Sequence, residues 1–177
     1  MQKTLRYARA LERLVSAIGR LFAWLSLPLA AVIVFDVVTR RFFVLGSTKL
    51  QELEWHLHAA LFLMLLGYAY LRNAHVRIDI LRERMSPRTR AWVEVFGCLL
   101  FLIPYSLLLV YYSANFWERS FLLGEASAAT TGLPYRWIIK AAMPLGFTLL
   151  FLAGLAVLLD RLAYLLGDSE PPPEHPR

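Results

Sequence analysis

Four long apolar runs constrain the fold of this chain more than any other feature. They cover about residues 21–41, 51–71, 87–117 and 135–160, and most of the charged residues lie between or beside them. Each run reaches the roughly 20 residues that a helix needs to cross ~30 Å of hydrocarbon. Because lipid offers the backbone no hydrogen-bond partners, and because the alternating pattern of a membrane barrel strand is absent, these runs must be helical. The sequence therefore predicts an all-α integral membrane protein with four transmembrane helices.

Composition agrees with a membrane protein and argues against other classes. The chain is 58% hydrophobic, above the roughly 45 to 50% of an ordinary soluble domain. The net charge is +6, but the Lys and Arg residues are not clustered on one element with stacking aromatics, so no nucleic-acid partner is expected. Cys98 is the only cysteine and lies inside the third run, which excludes an intrachain disulfide and a cysteine metal cluster.

The two ends of the chain differ from the transmembrane domain, which we place at residues 21–165. Residues 1–20 are basic but carry apolar residues at helical spacing, which predicts a short N-terminal interfacial helix. The apolar positions are Leu5, Ala8, Leu11, Val15 and Ile18. Residues 166–177 are polar and rich in proline, so we expect a disordered tail there.

Orientation follows from the distribution of Lys and Arg. With four crossings, one side of the membrane holds the N-terminus, the loop from Arg72 to Arg90 and the C-terminal tail. That side carries thirteen Lys and Arg residues, and the other side carries six. The excess predicts that both termini are cytoplasmic.

The densest ionisable cluster opens the second run. Glu52 and His56 are four residues apart, as are Glu54 and His58, so each pair shares a helix face. The two pairs differ by about 200° around the helix axis and cannot chelate one ion together. The third and fourth runs contain no histidine. We therefore expect polar residues at the level of the lipid headgroups, with no metal and no cofactor.

Two carboxylates lie within otherwise apolar runs, where an ionisable residue is by default a functional candidate. Asp36 has Arg40 four residues further on, which favours a structural salt bridge over an ion path. Glu94 follows the predicted helix start at Ser86 and Pro87 by two turns, so it either reaches the cytoplasmic interface or binds a neighbouring helix.

The loop segment HVRIDIL has a two-residue period in which His75, Arg77 and Asp79 alternate with apolar residues. This pattern fits a loop lying flat on the membrane, or else a docking strip for another protein. No Gly-rich phosphate loop, HExxH, GxSxG or CxxC motif is present in the sequence, so no enzyme activity is predicted.

The central stretch of the chain resembles the small membrane subunit of tripartite ATP-independent periplasmic (TRAP) transporters, and the resemblance covers roughly residues 15–165. Trp55 here follows the glutamates, whereas the family often places it before them. The residues that carry the resemblance are Arg40, Arg41 and Phe42 at the end of the first run, Glu52, Glu54 and Trp55 at the start of the second, Gly67 and Tyr68 near its end, His75, Val76, Arg77, Ile78 and Asp79 in the loop, and Pro134, Trp137, Lys140, Pro144 and Gly146 at the last crossing.

This resemblance implies a non-catalytic subunit of a secondary transporter in the bacterial inner membrane. Its partners would be a large membrane subunit that holds the substrate and sodium sites and a periplasmic solute-binding protein that captures an organic acid. The chain would be a scaffold for the large subunit and would help to dock the binding protein. The energy source for transport would be a sodium gradient. Predicted interface residues are Arg40, Arg41, Glu52, Trp55 and His56 on the periplasmic side and His75, Arg77 and Asp79 on the cytoplasmic side.

Two other hypotheses belong to different classes. A four-helix membrane anchor of an electron-transfer complex would need haem ligands, which the placement of the histidines disfavours. A stand-alone small exporter would use Asp36 or Glu94 as its proton site.

Overall fold

The computed structural model describes residues 2–43, 46–74 and 85–167, which form helices and no strand. We number the helices α1 (Gln2–Ala23), α2 (Ser26–Phe43), α3 (Thr48–Leu71), α4 (Pro87–Leu122), α5 (Trp137–Lys140) and α6 (Ala142–Leu165). The prediction of an all-helical fold is therefore confirmed for the described residues.

Three stretches are long and apolar enough to cross a membrane. They are Thr4–Phe43, which covers most of α1 and all of α2, Pro87–Leu122, which is α4, and Trp137–Leu165, which contains α5 and α6. Helix α3 has 24 residues but is not among them. Its first half carries Glu52, Glu54, His56 and His58, and these residues lower its mean hydropathy. A fourth crossing by α3 stays a prediction.

Three prolines inside the predicted runs mark local breaks in the helices. Pro28 and Pro144 lie in the first turns of α2 and α6, where a missing N–H removes no intrahelical hydrogen bond. Pro104 lies within α4 and follows one π-helical turn, Cys98–Leu102, which is closed by the hydrogen bond from the Ile103 N–H to the Cys98 carbonyl. Pro28 and Pro144 thus lie where a helix begins, and Pro104 lies directly after the π-helical turn within α4.

Helix α6 forms the centre of the bundle and packs against α1, α3 and α4. Its buried positions are mostly small, and they are Ala142, Gly146, Leu149, Ala153, Gly154, Ala156, Leu158 and Ala163. A β-carbon added at Gly146 would lie 2.5 Å from the Leu63 carbonyl oxygen of α3, so the two backbones approach closely only because this residue is glycine.

Helix α4 buries three serines, Ser106, Ser113 and Ser120, at intervals of two helical turns. The hydroxyl groups of Ser106 and Ser113 donate to carbonyls of their own helix, at 3.0 Å to Ile103 and 2.6 Å to Leu109. The hydroxyl groups of Ser106 and Ser113 are therefore satisfied locally, as membrane helices require.

The predicted apolar face of α1 is the face that the structure buries. Ala8 and Val15 are buried, and Leu5, Leu11 and Ile18 are partly buried. Val15 contacts a cluster formed by Met64 of α3 with Leu149 and Ala153 of α6. Other helices therefore cover this face, and the position of α1 at the membrane surface stays a prediction.

Candidate functional site

A buried carboxylate near the start of α3 holds the loop between α4 and α5. Glu52 is 5% exposed and accepts hydrogen bonds from the Ser127 hydroxyl and, at 2.6 Å, from the Leu133 N–H. The Arg136 guanidinium lies 3.8 Å from the same carboxylate. Glu52 therefore fixes the position of residues 123–136 against the N-terminal end of α3.

The loop carries its own internal contacts. Its ends are joined by the hydrogen bond from the Arg136 N–H to the Glu125 carbonyl at 2.8 Å and by an ion pair between Glu125 and Lys140. The hydrogen bond from Lys140 holds the pKa of the Glu125 carboxyl below its usual range. Gly132 permits the tight approach, because a β-carbon there would overlap Ser127. The loop is thus an ordered surface and not a loose connection.

A second cluster of polar residues lies where α2 packs against α3. Asp36, Val37, Arg40, Arg41 and Glu54 line a pocket of about 530 Å³. One Asp36 oxygen pairs with the Arg40 guanidinium, and the Asp36 side chain is only 2% exposed. The other Asp36 oxygen, Oδ1, and Glu54 Oε1 are buried and have no hydrogen-bond partner within the described ranges.

The residues predicted to form the periplasmic interface differ in their exposure. Trp55 is 65% exposed, Arg40 is half exposed, and Arg41 is exposed. Glu52 points into the loop of its own chain, and His56 is partly buried beside it. The predicted cytoplasmic strip, His75, Arg77 and Asp79, lies outside the described residues.

Two further contacts join α4 to its neighbours. Glu94 pairs with Arg161 of α6, which answers the question left open by the sequence, since its partner is a neighbouring helix. The Tyr70 hydroxyl of α3 lies 3.1 Å from the buried thiol of Cys98. No group of three or more His, Cys, Asp and Glu side chains in residues 2–43, 46–74 and 85–167 could hold a metal ion.

Sequence reasoning missed most of the residues that bind Glu52. Ser127 and Arg136 are 75 and 84 positions away from it in the chain, and no local pattern connects them. The glycine at position 124 was a usable sequence signal for the end of α4, because glycine commonly follows a helix in the left-handed conformation, and Gly124 has φ +56° here. This signal indicates a helix end near Leu122, where the structure places it, instead of at residue 117.

Long apolar helices, close packing through glycine and alanine, and polar groups gathered at the helix ends define a multi-pass helical membrane protein. The chain matches the family model described as "Tripartite ATP-independent periplasmic transporters, DctQ component" over residues 29–163. This range is well over half of the chain, so the chain belongs to that family, the small membrane component of TRAP transporters. The resemblance seen in the sequence is thereby confirmed. No curated protein matches the chain.

Proposed function

We propose that this chain is the non-catalytic small subunit of a TRAP transporter that takes up an organic acid across the bacterial inner membrane, driven by a sodium gradient. The observation that carries the proposal is the family match, which begins in α2 and ends in α6. In this role the chain braces a large permease subunit and helps to dock a periplasmic solute-binding protein.

The arrangement that we propose has four crossings, which are residues 21–41, α3, α4, and α5 with α6. Most of α1 precedes the first crossing as a helix at the membrane interface, and both termini are cytoplasmic. Two observations support α3 as the fourth crossing. It has 24 residues, and it approaches the α6 backbone closely at two points one helical turn apart, Leu63 against Gly146 and Gly67 against Leu149. The Lys and Arg excess on the N-terminal side supports the orientation.

The pocket between α2 and α3 supports an interface with the large subunit. A buried carboxylate oxygen without a hydrogen bond is costly, and both Asp36 Oδ1 and Glu54 Oε1 are in that state within the described part of the chain. An N–H or O–H donor from a partner helix would satisfy them. Helix α2 packs chiefly against α3, which leaves its other faces available for that helix.

The ordered loop between α4 and α5 supports contact with the binding protein. In the proposed orientation it lies on the periplasmic side, where the side chain of Trp55 is also exposed. Glu52 would act through this loop, as a positioning residue that holds the docking surface. Arg40, Arg41 and His56 would lie at the same boundary, while His75, Arg77 and Asp79 are proposed to contact the large subunit on the cytoplasmic side.

Reconstitution tests the proposal directly. The large subunit encoded with this chain is placed in liposomes with and without the chain, an inward sodium gradient is imposed, and the cognate binding protein is added outside with radiolabelled organic acids. We expect uptake only when all three proteins and the gradient are present.

Two controls make the result decisive. Substrate flux through liposomes that hold this chain alone would contradict the scaffold role and favour a stand-alone exporter. Equal uptake by the large subunit with and without this chain would also contradict the proposal.

A further inference from the structure

A strongly basic pocket lies between α1 and the C-terminal end of α3. It has a volume of about 360 Å³ and is lined by Arg9, Glu12, Arg13, Ser16, Arg20, Tyr68 and Arg72. Four guanidinium groups therefore face one carboxylate. Such an excess of one charge in a small concave space attracts an anion.

The fold holds this pocket in shape. Gly19 lets α1 lie directly against the Tyr68 ring, since a β-carbon at that position would overlap it. Arg72 lies over the same ring at 5.6 Å, and its Nε donates to the Tyr68 hydroxyl at 3.3 Å. One wall is thus fixed by a close helix contact and by a cation–π interaction.

The other arginines lie along one side of α1. Arg13 and Arg20 are seven residues apart, or about two turns, and Arg9 precedes Arg13 by about one turn. All three side chains are exposed. The planar guanidinium group matches the geometry of phosphate and binds it through paired hydrogen bonds.

The surface beside the pocket is apolar. Leu14 and Leu21 of α1 are 48% and 68% exposed, and Trp24, directly after α1, is 70% exposed. An anion with attached hydrocarbon chains would satisfy both surfaces, the guanidinium groups with its phosphate and the apolar side chains with its tails. Basic pockets beside membrane helices on the cytoplasmic side are a known setting for anionic lipid headgroups.

We propose that this pocket binds the phosphate of an anionic phospholipid headgroup. The proposal rests on the proposed membrane orientation, in which the end of α3 lies at the cytoplasmic surface. A bound lipid would hold α1 on the bundle from outside, in addition to the contacts of Val15. Lipid binding is measured without substrate or partner proteins, so its failure is distinct from a failure of the transport role.

The test measures lipid retention by native mass spectrometry of the full chain released from detergent. The chain is mixed with phosphatidylglycerol or phosphatidylcholine at equal concentration. We expect the anionic lipid to be retained roughly tenfold better, and Arg13→Gln with Arg20→Gln to remove most of that preference. Glu12→Gln should strengthen retention of the anionic lipid, because it removes the one carboxylate in the pocket.

The matched control is Arg6→Gln with Arg88→Gln, which removes the same charge from two exposed residues that do not line the pocket. It should leave the preference nearly unchanged. An equal loss in both double variants would show attraction by net charge alone and would overturn the proposal. Saturable binding of inorganic phosphate, with no preference between the two lipids, would also overturn it.

Discussion

Helices α6 and α2 are both apolar helices of this protein, yet they are built for different surroundings. Helix α6 packs against α1, α3 and α4 and buries mostly glycine and alanine. Helix α2 packs chiefly against α3 and buries only Leu29 and Asp36. The side chains that α2 exposes are large and apolar, and they include Leu27, Ile33, Val34, Phe35, Val37 and Val38.

This difference shows what small residues do in a membrane bundle. Between helices in lipid there is little hydrophobic driving force, so stability comes from close backbone contact and polar pairing. Helix α6 has both, since Gly146 meets the α3 backbone and Arg161 pairs with Glu94. Among the described residues, the main helix contact of α2 is with α3, which fits a helix whose remaining faces meet lipid or a partner.

The largest effect should follow from breaking the ion pair between α4 and α6. In Arg161→Gln, the Glu94 side chain, which is 16% exposed, loses its ion pair with Arg161. We expect a loss of about 3 kcal/mol in the free energy of unfolding, because removing one partner of a largely buried ion pair is strongly destabilising. Unfolding in mixed micelles followed by circular dichroism measures it. The double variant Glu94→Gln with Arg161→Gln should recover part of the loss, and a single variant as stable as the parent would refute the role of this pair.

The next effect should come from the glycines between α3 and α6. An alanine β-carbon at Gly67 would lie 2.6 Å from the Leu149 carbonyl oxygen, so Gly67→Ala must move one helix. We expect a destabilisation of about 1 to 3 kcal/mol in the same unfolding assay. The control is Gly97→Ala in α4, where a β-carbon would meet nothing within 4 Å. If the two variants behaved alike, close packing on α6 would not be the source of stability.

A smaller and local effect is expected for Glu52→Gln. Its carboxylate accepts two hydrogen bonds from the loop, and the amide keeps only one acceptor oxygen and loses the charge. The expected cost is about 1 to 2 kcal/mol. It should appear as faster amide hydrogen exchange in residues 123–136, with α6 unchanged. Glu118→Gln, at an exposed position of α4, is the control, and unchanged exchange in the loop would argue against the anchor.

The smallest effect on the isolated chain should come from α2. Asp36→Asn leaves Arg40, whose side chain is 52% exposed and reaches water, so we expect a change below about 1 kcal/mol. The same variant should reduce copurification with the large subunit if the α2 pocket binds a partner. A loss of stability as large as that of Arg161→Gln would instead show that α2 is part of the stable core.

Much of this architecture could be predicted from local patterns. The apolar runs predicted the helices, Ser86 and Pro87 predicted the start of α4, and the spacing of Leu5, Ala8, Leu11, Val15 and Ile18 predicted the apolar face of α1. The Ser86 hydroxyl indeed accepts from the Thr89 N–H at 3.2 Å. These features depend on residues within a few turns of one another.

The candidate site was less predictable. Glu52 was expected at an interface, and its observed partners are groups of its own chain, Ser127 and the Leu133 N–H. The pairing of Glu94 with Arg161 joins residues 67 positions apart. Periodicity places a side chain on a helix face, but it does not tell which other helix lies opposite.

The sequence by itself determined that this chain is helical, apolar and basic at one end, because length, hydropathy and charge act locally on each segment. Only the tertiary structure decided that α6 is the central helix, that Glu52 holds a loop, and that four arginines surround one pocket. The physical reason is that these contacts depend on how close the backbones come, and that distance is fixed by glycines whose neighbours are far away in the chain.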